Sequence, residues 1–411
     1  MNLLIVLTIV LLGYAWLLYP LVLPVLALRR KRGATPEDGL EGATPWRVAV
    51  LVSAHNESEH LDERIRNVLE QDYSREHLRL LIGLDGCSDN SREVAERWGR
   101  NDPRVRVVTY AENRGKIAVL KALVALCDRP GELFEEGLPD ALAFTDANTA
   151  FRQDALRRLI APLMGEGIGG VCGRLVFTAE KPFARDAHFE NPAQEGAYWL
   201  WESRMKLLES RLDSCLGANG AIYAIRRPLF WRDVPDNTII DDFVLGAKVR
   251  EQGWRMVYNP HAIALEQLPH IRHEWTRRVR IGAGDYQALV LCRRCLRPAL
   301  HWFAWCFWSH KVLRWFTPQL AIVLFVAATW RLILWHGWTM GTVLATAVMV
   351  GFAASGLLAV AGRASAHRVR GIARLSELAH HFVTMQAALF VGFLRYMKGD
   401  VQGAWVRTPR E

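Results

Sequence analysis

The sequence predicts an α/β domain built on a mostly parallel sheet and carried between apolar stretches at both ends of the chain. Three observations predict it. From Arg47 onward, apolar runs of strand length alternate with helical stretches. Polar residues follow the ends of successive runs. Asn2 to Leu28 and the region after about residue 317 are mostly apolar, whereas the middle, from about 45 to 298, has ordinary charge content.

VAVLVSA (48–54) is a continuous apolar run, as expected for a strand buried on both faces. Residues 58–71 read as a helix with Leu61, Ile65, Val68 and Leu69 on one side. LRLLIGLD (78–85) is the second strand, and 88–100 a helix capped by Ser88 or Asp89. VRVVTY (105–110) is the third strand, Gly115 to Leu126 a helix, and Leu142 to Thr145 the fourth strand, leading into an amphipathic helix that ends near 159. Such alternation means parallel strands joined by right-handed crossovers, a Rossmann-like nucleotide-binding sheet.

Residues 3–27 are long enough to cross a bilayer. The positive charges Arg29, Arg30, Lys31 and Arg32 follow the apolar run, the pattern of an uncleaved anchor whose C-terminal flank is cytoplasmic rather than of a signal peptide. Pro20 and Pro24 predict a kink. Further apolar segments occupy about 317–336, 340–361 and 377–397. Between Leu300 and Phe316, four Trp and three Phe are mixed with His301, His310, Lys311 and Arg314, which suits a helix in the headgroup layer. Two basic tracts read as cytoplasmic: Arg363, Arg368, Arg370 and Arg374, then Arg395, Lys398, Arg407 and Arg410. One simple span between them cannot place both on the same side. Either 377–397 is re-entrant or interfacial, or one tract misleads.

The net charge is +9, with basic residues clustered beside the apolar segments and near 272–297. Anionic headgroups and an anionic substrate account for it without nucleic acid. The seven cysteines are scattered apart from Cys292 and Cys295, and a lone C-x-x-C is a poor zinc site. No Gly-x-Gly-x-x-Gly follows the first strand and no Walker A loop is present, which tells against dinucleotide cofactors and P-loop chemistry.

His55, Asn56 and Glu57 follow strand one, Asp85 ends strand two, NRGK (113–116) follows strand three and Asp146 ends strand four. All fall on the C-terminal edge, where open α/β sheets bind ligands. Each alone could be a cap or turn residue. Together, with Asp146 and Asn148 one residue apart as possible oxygen ligands of a hard divalent cation, they suit an anionic nucleotide. Glu57 and Asp85 can accept from base and ribose donors, and Lys116 can meet phosphate.

SAHNE, LDGCSDN, ENRGK, FTDAN, LGANGAIYAIRR, IIDDF and RRVRI occur in the order found in family 2 glycosyltransferases. The chain most resembles that family's membrane-embedded polysaccharide synthases, relatives of the cellulose, chitin, hyaluronan and poly-N-acetylglucosamine synthases. The resemblance covers about 45–316 and the anchors, and it rests on the ordered set.

It implies an α/β GT-A fold with N- and C-terminal transmembrane and interfacial helices. The implied activity is inverting transfer of a hexosyl or N-acetylhexosaminyl group from a nucleotide diphosphate sugar, a UDP-sugar in our reading, with Mg²⁺ or Mn²⁺. Ala54, Glu57, Asp85, Lys116, Asp146, Arg277 and Arg278 would bind the donor, and Asp146 and Asn148 the metal. Asp242 would be the general base, with Asp241 orienting neighbours or capping the following helix. Gly217, Ala218, Asn219 and Gly220 would lie under the acceptor, and Arg280 would brace the leaving diphosphate. Three positions depart from the family pattern. Asn148, a weaker neutral ligand, stands where the second acid is usual, Arg277 where Gln is usual and Ile281 where Trp is usual. In processive synthases that Trp stacks on the growing chain, so its absence tells against processivity.

The expected organisation is an anchor at 1–32, a cytoplasmic catalytic domain at 44–298, an interfacial helix at 299–316, and a membrane region with a basic tail at 317–411, in a multi-pass protein of the cell inner (plasma) membrane. Expected partners are the donor, a saccharide or lipid-linked acceptor, the bilayer and further membrane subunits, with no nucleic acid. The expected acceptor is a growing polysaccharide at the cytoplasmic face of the membrane, and two alternatives stay open: a single-sugar transferase acting on a polyprenyl- or lipid-linked acceptor, and an inactive nucleotide-binding subunit.

Overall fold

The computed structural model describes residues 2–30, 45–178, 182–183, 197–267, 271–334, 337, 339–364 and 370–400. Its helices are α1 (Asn2–Gly13), α2 (Tyr19–Arg29), α3 (Ser58–Leu69), α4 (Ser91–Asn101), α5 (Lys116–Cys127), α6 (Ala155–Ile160), α7 (Ala197–Leu212) and α8 (Asp241–Glu251), followed by α9 (Ile271–Leu291), α10 (His301–Cys306), α11 (Leu313–Trp315), α12 (Thr317–Ile333), α13 (Met340–Ala364) and α14 (Arg370–Met397). Two compact units form. One comprises Leu23–His273 and Val290–Trp305; the other comprises Met1–Val22, Glu274–Leu289 and Cys306–Val401.

The first unit holds one eight-stranded mixed sheet. Its strands are β1 (Val48–Ala54), β2 (Leu78–Asp85), β3 (Val105–Tyr110), β4 (Ala141–Asp146), β5 (Thr149–Phe151), β6 (Ile168–Thr178), β7 (Tyr223–Arg226) and β8 (Arg255–Gln267), in the order β3-β2-β1-β4-β7-β6-β8-β5. The four strands read from the sequence pair in parallel, with Val52 opposite Ile82 and Thr145, and Ile82 opposite Val107. Their C-terminal ends therefore share one edge, as expected. β7 runs antiparallel to both β4 and β6, so it brings the 217–222 turn to the same edge.

β1 shows why this sheet is buried on both faces. Val48, Val50, Val52 and Ala54 join the core formed with α3 and α6, while Ala49 and Leu51 join the core with α5 and α8. Truncating one such residue, Leu51→Ala for example, removes a fully buried side chain and costs about 2–5 kcal/mol. α5 lies so close to β2 that a Cβ at Gly83 would meet Val119 Cγ1 at 2.2 Å, so only glycine fits there.

Local expectations need three corrections. α4 starts at Ser91 with Asn90 as N-cap, and neither Ser88 nor Asp89 caps it. Asp89 instead accepts from Ser58 N (3.0 Å) and Ser91 N (3.0 Å), tying two helix starts together. The short strand β5 intervenes between Asn148 and α6, because pairing with β8 satisfies its backbone. α8 is preceded by Ile240 as N-cap, so Asp241 does not cap it.

In the second unit α1, α12 and α13 share a small core of Ile5, Leu324, Ala327, Ala328 and Ala345. A π turn, Tyr14–Leu18, precedes Pro20, and Pro24 lies inside α2. Ala15 O there accepts from Arg314 Nη2 at 3.1 Å, while the guanidinium lies over Trp16. Among the described residues two helices, Asn2–Arg29 and Met340–Leu358, are long and apolar enough to cross a membrane. Pro298–Trp315 and Thr317–Ile333 pass only as a pair, bent by 60°, the geometry of a broken span or a re-entrant loop. The aromatic stretch expected as one helix over 299–316 is thus interrupted by a π segment, Phe307–Val312. Phe307 and Trp315 are buried edge to face, and Trp308 is exposed. α14 is not among these helices. It packs closely on α9, where a Cβ at Gly392 would meet Ala283 N at 2.7 Å. Of the basic residues used for topology, Lys31, Arg32, Arg368, Arg407 and Arg410 lie outside the described residues.

Candidate active site

The edge formed by β1, β2 and β4 gathers most of the expected residues. β1 ends at buried Ala54, and Asn56 just beyond adopts a left-handed φ of 56°. This turn directs Asn56 Oδ1 at Ser88 N, 2.8 Å away. Glu57 is buried, and its backbone N–H donates to Ser91 Oγ at 2.9 Å. Asp85, fully buried, accepts from Arg114 N (2.7 Å) and Gly115 N (2.9 Å). Its carboxylate therefore fixes the NRGK loop, and α5 begins immediately after, at Lys116.

Lys116 is the electrostatic centre. Its Nζ donates to Asp146 Oδ1 at 2.8 Å and lies 3.8 Å from Asp241 Oδ2. Burial works against its charge, but Asp146 and Asp241 outweigh burial and hold the ammonium firmly protonated. Asp242 presents both oxygens to backbone donors: Oδ1 accepts from Phe243 N (2.8 Å) and Oδ2 from Gly220 N (2.7 Å). Asp241 and Asp242 also occupy the first turn of α8, where the helix dipole favours negative charge.

Burial pushes the Asp241 carboxyl up, Lys116 pulls it back, and repulsion from Asp242 and Asp146 adds to the rise, leaving it at about 6. That value lies above the ordinary 3.8, so the native state holds the proton more tightly than the unfolded chain. Stability is then lost as pH rises through the interval between the two values, and the cost is complete above it. In metal-free buffer Asp241→Asn is expected to raise the melting temperature near neutral pH and to give no gain below about pH 4; a fall at neutral pH would contradict this.

Gly220 sits among these groups. A Cβ built there would lie 3.5 Å from Asp242 Oδ2, 3.6 Å from Asp146 Oδ2 and 3.6 Å from Lys116 Nζ. Those are ordinary contacts, so a methyl group fits without disturbing the fold yet takes the space the three polar groups surround. Gly220→Ala is expected to keep the melting temperature within a few degrees and to lower sugar transfer by about 10²-fold, the cost of displacing a reacting group by about 1 Å; unchanged turnover would show that the space is not used. Gly217 is required for another reason: its φ is 73°, and a Cβ would come within 2.5 Å of Phe243.

This cluster suits a hard cation. Asp241 Oδ2 is buried and accepts no hydrogen bond, and Asp146 and Asp241 share one ammonium. Among the described residues no three His, Cys, Asp or Glu side chains are placed to hold a metal by themselves. The donor set therefore fits an ion carried on one or two carboxylates together with the oxygens of a diphosphate. Asn148 Nδ2 is directed at Glu266 Oε1, 3.4 Å away.

Residues 45–283 match the family model described as glycosyltransferase like family 2, more than half of the chain. The chain belongs to that family. It is 24% identical over 255 residues to the probable glycosyltransferase YdaM of Bacillus subtilis, covering 60% of this chain and 56% of the relative. It is also 24% identical over 259 residues to poly-β-1,6-N-acetyl-D-glucosamine synthase of Staphylococcus aureus, covering 62% and 57%. The chain thus spans about half the length of these curated relatives. Among solved structures, the mannosyltransferase PcManGT from Pyrobaculum calidifontis, in complex with GDP-Man and Mn²⁺, superposes with a TM-score of 0.66 at 20% identity, covering 96% of this chain and 99% of that one. The fold is GT-A.

The 217–220 turn is tightly held. Ala218 N donates to Asp242 O at 3.3 Å, Asn219 Nδ2 to Gly173 O at 3.0 Å, and Lys206 Nζ to Asn219 Oδ1 at 2.5 Å. Arg277, Arg278 and Arg280 lie on the part of α9 that belongs to the other compact unit. There Glu274 pairs with Arg277 at 3.5 Å and also contacts Arg278, and Arg280 is half-buried.

Sequence reasoning missed two buried cations and a phenol. Arg64, fully buried on α3, donates from Nη2 to Thr145 Oγ1 at 2.8 Å and lies over Phe151 at 4.2 Å. Thr145 Oγ1 in turn donates to Ala221 O at 2.8 Å, joining the end of β4 to the residue that follows the 217–220 turn. A charged residue three places after Leu61 on an otherwise apolar stripe was the available signal. Tyr223 stacks on Phe144 at 4.6 Å with its buried hydroxyl unpartnered, and repulsion from Asp241, Asp242 and Asp146 reinforces the effect of burial in keeping it un-ionised. Lys206 had no such signal, because α7 carries no clear apolar stripe.

Proposed function

We propose that the protein is an inverting glycosyltransferase that moves a sugar from a nucleotide diphosphate sugar, a UDP-sugar in our reading, to a growing polysaccharide at the cytoplasmic face of a membrane. The observation that carries this reading is the Asp242 carboxylate, fixed by Gly220 N at 2.7 Å beside the Asp146–Lys116 pair. Inversion requires one base to take the acceptor hydroxyl's proton as the hydroxyl oxygen attacks the anomeric carbon. Asp242 does this. Each of its oxygens keeps a lone pair beyond the one given to a backbone N–H.

Donor binding falls to the sheet edge. Glu57 and Asp85 lie towards base and ribose, and Lys116 towards the diphosphate. Asp146, with Asn148, would hold Mg²⁺ or Mn²⁺, which when bound neutralises charge on the leaving diphosphate. The 217–220 turn lies under the acceptor.

Single addition to a lipid-linked acceptor is the second reading, and Ile281 in place of an aromatic residue favours it, since aliphatic Ile281 offers no stacking face for a chain. Purified full-length protein should be incubated with labelled donor and its products separated by length. A ladder of long products is expected from the synthase; a single added sugar would replace it with the second reading, and no transfer from any nucleotide sugar would overturn both.

A further inference from the structure

We propose that Lys206 is a positioning residue for transfer, setting the 217–220 turn and, through the Gly220 N–H, the Asp242 carboxylate. The proposal rests on the reading of Asp242 as the base. Lys206 lies on α7 and is only 6% exposed. Its Nζ donates to Asn219 Oδ1 at 2.5 Å and reaches Ala218 O at 3.4 Å. Burial works against the ammonium, but attraction to Glu202 and Asp242 among its neighbours outweighs burial and keeps it charged, so its charge is available to hold the two neutral acceptors in place.

What the ammonium adds is direction. It holds the Asn219 amide, whose Nδ2 is tied to Gly173 O on β6 at 3.0 Å, and it meets the carbonyl of Ala218. On the far side of the turn, Thr145 Oγ1 donates to Ala221 O at 2.8 Å. Between these two anchors Gly220 N–H points at Asp242 Oδ2. Rotating the Ala218–Asn219 segment would swing that N–H away and release one oxygen of the base. Lys206 makes no hydrogen bond to Asp242, so beyond the attraction between their charges it acts on that carboxylate through the turn.

The test uses full-length protein in nanodiscs and the variants Lys206→Met, Lys206→Arg, Asn219→Ala and Lys206→Met/Asn219→Ala. Turnover, donor KM, binding of UDP with Mn²⁺ and melting temperature are measured for each. We expect Lys206→Met to lower kcat by about 10²-fold with donor KM and UDP affinity unchanged. Lys206→Arg should recover part of the loss. The double variant should fall no further than Lys206→Met alone, because both changes break one device. If kcat is unaffected, if the losses add, or if UDP affinity falls in step with kcat, the proposal is wrong. Should Lys206→Met fail to fold, Asn219→Ala carries the test: it too must lower kcat at constant UDP affinity, and an unaffected kcat overturns the proposal. Asp242→Asn measured alongside separates the two failures. An inactive Asp242→Asn with a fully active Lys206→Met sinks the positioning role alone, whereas an active Asp242→Asn sinks the base assignment and the positioning route with it.

Discussion

Asp242→Asn is expected to lower sugar transfer by about 10²–10⁴-fold, the range of a general base, while UDP binding stays near wild type. The carboxylate is fixed by Phe243 N at 2.8 Å and Gly220 N at 2.7 Å, so its rotamer does not depend on substrate. Asparagine keeps the shape and one acceptor oxygen but loses the basicity. It also turns an NH₂ group towards one of those two N–H donors, a mismatch costing about 1–3 kcal/mol. A modest drop in melting temperature is therefore part of the expectation and must be measured beside the rate. Transfer within a few-fold of wild type would show that another group takes the proton.

Asp146→Ala is expected to weaken UDP-sugar binding by about 10²-fold or more when Mn²⁺ or Mg²⁺ is present, since a bound ion supplies several kcal/mol of charge stabilisation. In chelator the variant and the wild type should bind alike. The same change removes the partner 2.8 Å from Lys116 Nζ and leaves that ammonium with Asp241 at 3.8 Å. Calorimetry with UDP in the presence and absence of Mn²⁺ separates the two effects. Equal loss with and without metal would mean that Asp146 acts through Lys116 or through the fold, not through an ion.

The first four strands were legible because each is a short apolar run with a polar group at its end, and a parallel sheet places those ends on one edge. Asp85, Lys116 and Asp146 could be placed on that edge for the same reason. The later strands were harder. β6 and β8 pair in parallel, with register shifts at Ile168/Gly170 and Gly173/Arg174, and neither carries a simple alternation. Asp241 was read as a possible helix cap because Asp favours that place, but Ile240 takes the cap and Asp241 turns towards Lys116. Arg64 and Lys206 escaped notice because a buried cation is rare, and its partners, Thr145 and Asn219, lie 81 and 13 residues away along the chain. The glycines of LGANG suggested a close approach, yet only the fold shows that Gly220 faces Asp146, Asp242 and Lys116 together.

The most direct measurement is the anomeric configuration of the transferred sugar, read by NMR on product made by purified full-length protein from a panel of nucleotide sugars with Mn²⁺. Displacement of the diphosphate in one step, with Asp242 as the base, predicts release of a nucleoside diphosphate and an inverted linkage, both abolished by Asp242→Asn. A retained linkage, or turnover that survives Asp242→Asn, would contradict the assignment of this carboxylate edge as the transfer centre.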